Sequence, residues 1–505
     1  MAGKAASVDP DRSAWDVIVL GGAAAGENVA QYATQFSDLD AVLVEAGLLG
    51  GECSYWACMP SKALLRPAEQ LSSGQHVPGV SSLLAGRELD VPAVLARRDT
   101  VVNGLDDTSQ VQWALGAGID VLRGYGRLAG ERTVEVSLAA GGTRTLTARH
   151  AVVVDTGSCT TVPQVAGLAE ARAWTSRDVT NMHEVPRRVI IYGGGVVACE
   201  AATWLRALGV AELTVVHRRD GLLPRCEPFA GRMVADRLRE AGVRLLPNRS
   251  FAAVTRQDPR DTGVGLPHGG EVTVELDDGA TLTADELVLA TGRTPNTQDI
   301  GLTSVGCPDG GFLEVDDQQA VRGVDGQWLY AIGDVCGRAL RTHMGKYQAR
   351  IAGEVIAARA AGRPPTDEAG RPLSVAAGHR GGPQVTFTQP EVGSAGMTER
   401  EARAAGVDVE TAQYDMAALA GTFVMQEDYV GRAELVVDRA TDTVVGATFV
   451  GSGIADLVHS ATTAIVGRLP LSVLWHVVPS YPTASEVWLR LLETIRAQRA
   501  AQPRQ

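Results

Sequence analysis

The sequence predicts an α/β fold, because short apolar runs twice lead into a glycine-rich turn and then a helical pattern, at 15–45 and 187–209. Short apolar runs suit buried parallel strands, and a glycine turn opening a helix is the arrangement that holds a dinucleotide pyrophosphate. In 383–495, strands such as RAELVVD precede helices. We therefore predict two Rossmann-like dinucleotide-binding domains followed by a C-terminal α+β domain.

The first glycine turn, GGAAAG, provides Gly21 and Gly26 but has Ala23 at the usual second glycine. A methyl group there crowds the approach of the backbone to a pyrophosphate. The next strand ends at Glu45, about 20 residues beyond the glycines, where a carboxylate binds an adenosine ribose hydroxyl. The turn therefore predicts a dinucleotide site with one departure from the usual pattern.

Composition limits the kinds of partner. A chain of 505 residues has room for two to four domains, and its net charge of −13 argues against nucleic acid or an anionic membrane surface. No apolar run reaches about 18 residues, so no membrane span is predicted. The first fourteen residues lack the apolar core of a signal peptide. Seven cysteines in such a chain favour a reducing setting, and we expect a cytoplasmic location.

Two cysteines, Cys53 and Cys58, stand at C-x4-C spacing in GGECSYWACMPSK. Five residues of regular helix rise about 7.5 Å, whereas a disulfide needs Cα atoms roughly 4.4–6.8 Å apart. A bridge would therefore need a distorted first helical turn, which the preceding glycine pair makes easier. A helix N-terminus and the nearby Lys62 both favour a thiolate. The spacing alone leaves open two unbridged cysteines in a core helix.

The stretch GG-x-C-x4-C-x-PSK, following an N-terminal dinucleotide unit, resembles the flavoprotein disulfide reductases, the group of dihydrolipoamide dehydrogenase, glutathione reductase and mercuric reductase. Further signatures of the group follow in the same order: TGS with Gly157, ATGR with Gly292, IGD with Gly333 and Asp334, and a helix starting near Thr342 and His343. The group usually has alanine where Asp155 stands, and we interpret Asp155 as structural. The resemblance implies FAD held by these residues and by the first glycine turn.

The resemblance also implies the domain order and a homodimer whose active site is shared between subunits. The expected bounds are 15–165 and 293–375 for the two parts of an FAD domain, 166–292 for an NAD(P)H domain, and 383–495 for a dimerisation domain. The substrate of such an enzyme is a small molecule.

The second glycine turn predicts the nicotinamide cofactor. Gly193 and Gly195 supply the turn, and the next strand ends in His217-Arg218-Arg219. NADH-preferring enzymes usually have an acid at this point, whereas basic groups suit a 2′-phosphate. A solvated basic turn is the alternative. The sequence favours NADPH and leaves NADH possible.

By the resemblance, hydride passes from nicotinamide to flavin, and electrons then reach the Cys53–Cys58 disulfide. Cys58 is expected against the flavin, and Cys53 is expected to be the thiol that meets the substrate. Lys62 is expected near the flavin N5, paired with Glu200.

Most members of the group have a histidine near the C-terminus that moves the proton in thiol–disulfide exchange, with a glutamate that orients it. Here the frame has Glu486, but Tyr481 stands at the histidine position. A phenol with a pKa near 10 is a poor base at neutral pH. His476 is one alternative base. Mercuric reductases also have tyrosine here, but this chain lacks their C-terminal cysteine pair.

The sequence leaves several activities possible for this protein. The first is reduction of a disulfide or other sulfur compound. The others are reduction of a metal ion or quinone, a carboxylase-like reaction that exploits the missing base, and a non-catalytic flavoprotein. No resident metal site is predicted, because the remaining cysteines and the nine histidines form no ligand motif.

Overall fold

The computed structural model describes residues 9 and 11–501. The strands are β1 (Ala14–Leu20), β2 (Ala41–Glu45), β3 (Ile119–Leu128), β4 (Thr133–Leu138), β5 (Thr143–Val154), β6 (Ser158–Thr160), β7 (Arg188–Tyr192), β8 (Glu212–His217), β9 (Arg244–Pro247), β10 (Phe251–Arg256), β11 (Val272–Leu276), β12 (Thr281–Ala284), β13 (Glu286–Leu289), β14 (Arg293–Pro295), β15 (Leu329–Ala331), β16 (Gln384–Thr386), β17 (Glu391–Gly396), β18 (Val409–Asp415), β19 (Arg432–Asp438) and β20 (Thr443–Gly451).

The α-helices are α1 (Ala24–Thr34), α2 (Gly51–Tyr55), α3 (Cys58–Gln75), α4 (Ser81–Leu84), α5 (Val91–Val101), α6 (Thr108–Gly116), α7 (Ser176–Thr180), α8 (Val196–Ala207), α9 (Pro228–Glu240), α10 (Thr342–Ala360), α11 (Ala376–Gly381), α12 (Glu399–Ala404), α13 (Ala420–Met425), α14 (Leu457–Val466), α15 (Leu471–Leu474) and α16 (Val487–Ala501). None of the helices in the described part of the chain has the length and hydropathy of a membrane span.

The chain forms two compact units. The first contains the residues up to Pro60, Asp99–Cys159 and Arg293–His379, and the second contains Ser61–Arg98, Thr160–Gly292 and the residues from Arg380 onward.

The first unit is built on a parallel sheet in the order β3-β2-β1-β5-β15, to which β4 adds antiparallel pairings with β3 and β5. Strand β1 is buried on both faces: Val17 and Val19 pack with helices α1 and α10, while Ile18 and Leu20 pack into the core on the other face. This double burial explains why the strand is an unbroken apolar run.

Helices α1 and α10 of the first unit lie in close contact. A Cβ atom on Gly353 of α10 would be 2.7 Å from Cβ of Tyr32 on α1, so only glycine allows the helices to approach this closely.

The second unit contains a four-stranded parallel sheet, β13-β7-β8-β9, and a three-stranded antiparallel sheet, β10-β11-β12. It also contains a five-stranded antiparallel sheet, β16-β17-β20-β19-β18, whose core includes residues of α14 and α16. The predicted α/β class, with its α+β C-terminal part, is confirmed. The finer domain bounds stay a prediction.

Candidate active site

The first glycine turn lies between β1 and α1 and has the geometry of a nucleotide cradle. Gly21 has φ +104°, and a Cβ atom there would be 2.2 Å from the carbonyl oxygen of Asp155. The Glu45 carboxylate accepts hydrogen bonds from the N–H groups of Gly22 (2.7 Å) and Gly47 (2.6 Å). Glu45 is therefore held beside the turn, and its expected role at an adenosine ribose stays a prediction. The N-cap residue Ala23 provides no side-chain cap for α1.

Ala23 faces the cysteine segment. A Cβ atom on Gly51, which has φ +62°, would be 2.6 Å from Cβ of Ala23. Ala23 also forms an isolated bridge with Gly50, whose N–H donates to the carbonyl oxygen of Gly22 at 2.7 Å. The methyl group that replaces the usual glycine thus packs against the glycine pair, which is one reason for two glycines before Cys53.

Asp155 is buried at the end of β5, directly beside this turn. Its Oδ2 accepts a hydrogen bond of 2.6 Å from the N–H of Gly26, near the start of α1. Burial raises the pKa of Asp155 well above its ordinary value, against the effect of the Gly26 hydrogen bond, and the nearby acids Asp334 and Glu45 add to the increase. No local pattern around Asp155 predicts that this acid contacts the glycine turn.

Asp334 belongs to a hydrogen-bonded chain that the motif alone did not predict. Its Oδ2 accepts from the hydroxyl of Ser158 at 2.5 Å, and the Ser158 oxygen accepts from Nε of Arg293 at 2.9 Å. Gly333, with φ +73°, donates its N–H to Oε1 of the buried Gln348 at 2.8 Å. These contacts fix the orientation of the Asp334 loop.

The other two signature glycines lie in turns. Gly157 has φ +72°, and its carbonyl oxygen accepts from the N–H of Asn296 at 3.0 Å. In the second unit, the carbonyl oxygen of Gly292 accepts from the N–H of Thr161 at 3.0 Å.

The two cysteines lie on different helices. Cys53 is in the short helix α2, and Cys58 is the first residue of α3, with Trp56 and Ala57 between the helices. The segment is therefore not one helix with a distorted first turn, because a break separates the helices that contain the two unbridged cysteines. This break places Cys58 at the N-terminus of an 18-residue helix.

Thr342, the first residue of α10, contacts the cysteine pair at Cys58. Its Oγ1 lies 3.4 Å from Sγ of Cys58. A hydrogen bond with Cys58 and burial together raise the pKa of the Cys53 thiol, while Thr342 and Lys346 act in the opposite direction. Thr342 therefore lies beside Cys58, and the neighbouring His343 is exposed. The expected position of both residues near the flavin stays a prediction.

The second unit holds the other glycine turn, between β7 and α8. Gly193 has φ +140°, and a Cβ atom there would be 2.1 Å from the carbonyl oxygen of Ala290. Gly195 is the N-cap of α8 and has open space where a side chain would lie.

The three basic residues at the end of β8 differ in their exposure to solvent. Arg218 and Arg219 are exposed, and neither forms an ion pair with another described residue. His217 is buried beneath the turn, where a Cβ atom on Gly194 would be 3.1 Å from its own Cβ. Burial lowers the pKa of His217, so this imidazole is neutral near pH 7. Arg218 and Arg219 are accordingly the accessible cations.

Lys62 and Glu200 form an ion pair of 2.7 Å in the second unit. The carboxylate of Glu200 is almost fully buried and also accepts the backbone N–H of Phe387 at 2.9 Å. Nζ of Lys62 lies 4.8 Å from the centre of the Phe387 ring, a cation–π distance. Phe387 was not predicted, because nothing in its local sequence marks it.

Tyr481 and Glu486 are also in the second unit. The Tyr481 side chain is 75% exposed. The largely buried Glu486 pairs with Arg490, one helical turn later, at 2.6 Å. His476 is exposed.

The residues present fit the cofactors expected for these turns. Two glycine turns open helices without side-chain caps, and the Glu45 carboxylate is held beside the first turn. Two exposed arginines with no ion-pair partner among the described residues follow β8. Among the described residues, no group of three or more His, Cys, Asp or Glu side chains is placed to hold a metal ion.

Comparison with known proteins identifies the class. Residues 15–362 match the family described as pyridine nucleotide-disulphide oxidoreductase, and residues 382–491 match the dimerisation domain of the same family. The chain belongs to this family. It is therefore an oxidoreductase of a family that is FAD-dependent and uses NAD(P)H, and its dimerisation domain indicates a homodimer.

Individual relatives extend over nearly the whole chain. Mercuric reductase of Streptomyces lividans is 30% identical and covers 92% of this chain and 93% of its own length. Dihydrolipoyl dehydrogenase of Pseudomonas aeruginosa is 28% identical, with coverages of 93% and 95%. Among solved structures, LpdA from Mycobacterium tuberculosis has a TM-score of 0.79 at 24% identity, covering 96% of this chain and 100% of its own. The HOCl-induced flavoprotein disulfide reductase RclA from Escherichia coli has a TM-score of 0.76 at 23% identity, with the same coverages.

Proposed function

We propose that this protein is an NADPH-dependent flavoenzyme that reduces a low-molecular-weight disulfide or related sulfur compound through Cys53 and Cys58. The observation that carries the proposal is the placement of Cys58, the first residue of α3, 3.4 Å from Thr342 at the start of α10, with Cys53 in the short helix directly before it. Two helix N-termini, those of α3 and α10, then favour a thiolate at this point. FAD, when bound, supplies the two-electron carrier between the nicotinamide and this pair.

The chemistry of the pair is thiol–disulfide exchange. The Cys53 thiolate attacks one sulfur of the substrate disulfide, which forms a mixed disulfide and releases the first thiolate. Cys58 then attacks the Cys53 sulfur, which releases the second thiolate and closes the Cys53–Cys58 disulfide. Two electrons pass to the substrate, and the released thiolates take up the two dithiol protons. The ion pair of Lys62 with Glu200 is proposed to act at the flavin N5.

Replacing each cysteine tests this function. We expect Cys53→Ser and Cys58→Ser to lower NADPH-dependent disulfide reduction at least about a hundredfold, while NADPH still reduces the flavin. Cys159→Ser, which removes an exposed thiol, is the control and is expected to retain activity. Disulfide turnover that survives in Cys53→Ser would overturn the proposal.

We propose Arg218 and Arg219 as the groups that bind the 2′-phosphate of NADPH. Both are exposed cations with no ion-pair partner in the described residues, and a guanidinium binds phosphate in a bidentate manner. Replacing both with alanine is expected to raise KM for NADPH at least about tenfold and to leave KM for NADH nearly unchanged. Arg237→Ala is the control, because that arginine pairs with Glu240 on α9. Equal losses with both cofactors would contradict the assignment.

Reduction of a thiophilic metal ion is the second candidate. The exposed Tyr481 favours it, because transfer of two electrons to a metal ion needs no proton donor at that position. Tyr481→His separates the two activities: disulfide reduction is expected to rise if the missing base limits it, whereas NADPH oxidation driven by Hg²⁺ is expected not to rise. A flavin that NADPH fails to reduce would instead indicate a non-catalytic flavoprotein.

We also propose that the active site is shared between subunits. The C-terminal part of the chain exposes a set of apolar side chains, which we call the 423–481 surface: Phe423, Val424, Met425, Val477, Val478 and Tyr481. Its two segments are adjacent, because a Cβ atom on Gly421 would be 2.4 Å from the backbone carbon of Thr483. An exposed apolar surface in a dimerisation domain is where a second copy would bind, and Tyr481 would then lie at the boundary between subunits.

A further inference from the structure

The dithiol has a cation in its own unit. Lys346 lies on α10 four residues, about one helical turn, after Thr342, so both side chains lie on the same helix face. Because side chains of a helix tilt toward its N-terminus, a lysine at this position can reach the turn where Thr342 contacts Cys58. Lys346 is close enough to Cys53 to oppose the rise in the pKa of that thiol.

This lysine has no other ionic partner in the part of the chain that the structure describes. Its side chain is exposed, and it forms no ion pair within 4.0 Å of a described carboxylate. The charge of Lys346 therefore acts on the neighbouring Cys53 without being neutralised by a direct ion pair.

We propose that Lys346 is the cation that stabilises the thiolate of the Cys53–Cys58 dithiol, in a chain where Tyr481 supplies no imidazolium. The inference rests on the proposed function in that Cys53 and Cys58 are the working redox pair. Lys346 acts by its charge and takes no proton in the exchange. It therefore assists the exchange only by lowering the free energy of the thiolate.

Acidic groups around Lys346 set the size of its effect. Glu27 of α1 faces Lys346, and burial raises the pKa of Glu27 to about 7 while Lys346 opposes that increase. One carboxylate oxygen of Glu27 is buried without a hydrogen-bond partner. Glu45 and Asp155 lie near Glu27, and His343 adjoins Thr342 on α10. Ionised Glu27 partly offsets the charge of Lys346, so the two residues are expected to act on the dithiol in opposite directions.

The test measures the thiolate directly. The FAD-loaded protein is reduced with dithiothreitol, freed of reductant under anaerobic conditions and alkylated with iodoacetamide over a range of pH, and mass spectrometry reads the modification at Cys53 and Cys58. Lys346→Met is expected to raise the midpoint pH of alkylation by about one unit, because an adjacent opposite charge lowers a pKa by about that much. Lys346→Arg is expected to restore the wild-type midpoint.

Two further variants make the result specific. Arg350→Met removes an exposed cation one turn beyond Lys346 and is expected to leave the midpoint unchanged. Glu27→Gln is expected to lower the midpoint pH of alkylation. This decrease is expected to be smaller than the increase caused by Lys346→Met. An unchanged midpoint in Lys346→Met, with or without loss of bound FAD, would overturn the inference. Chemical reduction keeps the test separate from the proposed function, which fails instead if NADPH cannot generate the wild-type dithiol.

Discussion

Asp155 is the residue that most clearly separates this chain from the pattern it resembles. Its carboxyl group is buried, accepts the N–H of Gly26 at the start of α1, and lies near Asp334 and Glu45. The pyrophosphate of a dinucleotide binds at such a helix start. An ionised Asp155 would therefore lie beside an anionic ligand.

Replacing Asp155 tests this conflict. Because its folded-state pKa is raised, the carboxyl group is neutral at lower pH and gains its charge as the pH rises. We expect the wild type to bind FAD less tightly as the pH rises. Asp155→Ala and Asp155→Asn are expected to bind FAD about fivefold more tightly than wild type at the alkaline end of a pH titration and to differ less at its acidic end. Fluorescence of released flavin measures both affinities, and an equal pH dependence in all three proteins would contradict the expectation.

At the scale of elements, the packing of the cysteine segment on the first turn depends on one close contact. A methyl group on Gly51 would meet Ala23 at 2.6 Å, and the φ of +62° at Gly51 is itself unfavourable for other residues. Gly51→Ala is therefore expected to lower the free energy of unfolding by about 1–3 kcal/mol, measured by denaturant titration.

Two comparisons isolate the contact. Gly86→Ala is the control, because Gly86 has φ +68° but open space around it, so it retains the backbone effect without the clash. Ala23→Gly combined with Gly51→Ala is expected to recover part of the lost stability. A double variant no more stable than Gly51→Ala alone would show that Ala23 is not the obstacle.

Local elements and their order could be predicted because their signals lie within short windows. The run in β1, the glycine turns and the position of Glu45 each follow from neighbouring residues. Contacts between distant residues could not be predicted this way: Asp155 meets Gly26 across 129 positions, and Thr342 meets Cys58 across 284. The break at Trp56 and Ala57 was also missed, because the glycine pair suggested distortion within a single helix.

At the scale of the whole molecule, the expected homodimer depends on the 423–481 surface. Val478 of this surface is 86% exposed, and a charge buried at an apolar interface is costly. Val478→Glu is expected to raise the dimer dissociation constant at least about tenfold, measured by sedimentation velocity, and to lower disulfide reduction in parallel.

Phe36→Glu provides the matched control for this surface. Phe36 is 90% exposed but lies in the first unit, outside the 423–481 surface, so the variant is expected to remain dimeric. A monomeric Val478→Glu protein with full activity would show that the active site is complete within one subunit.

The most direct test of the central claim is an anaerobic titration of the FAD-loaded protein with NADPH, followed by absorbance. If Cys53 and Cys58 are the working redox pair, addition of two electrons is expected to produce a long-wavelength charge-transfer band, and Cys58→Ser is expected to lack it. Direct bleaching of the flavin in the wild type without such a band would contradict the account, because electrons would then bypass the cysteine pair.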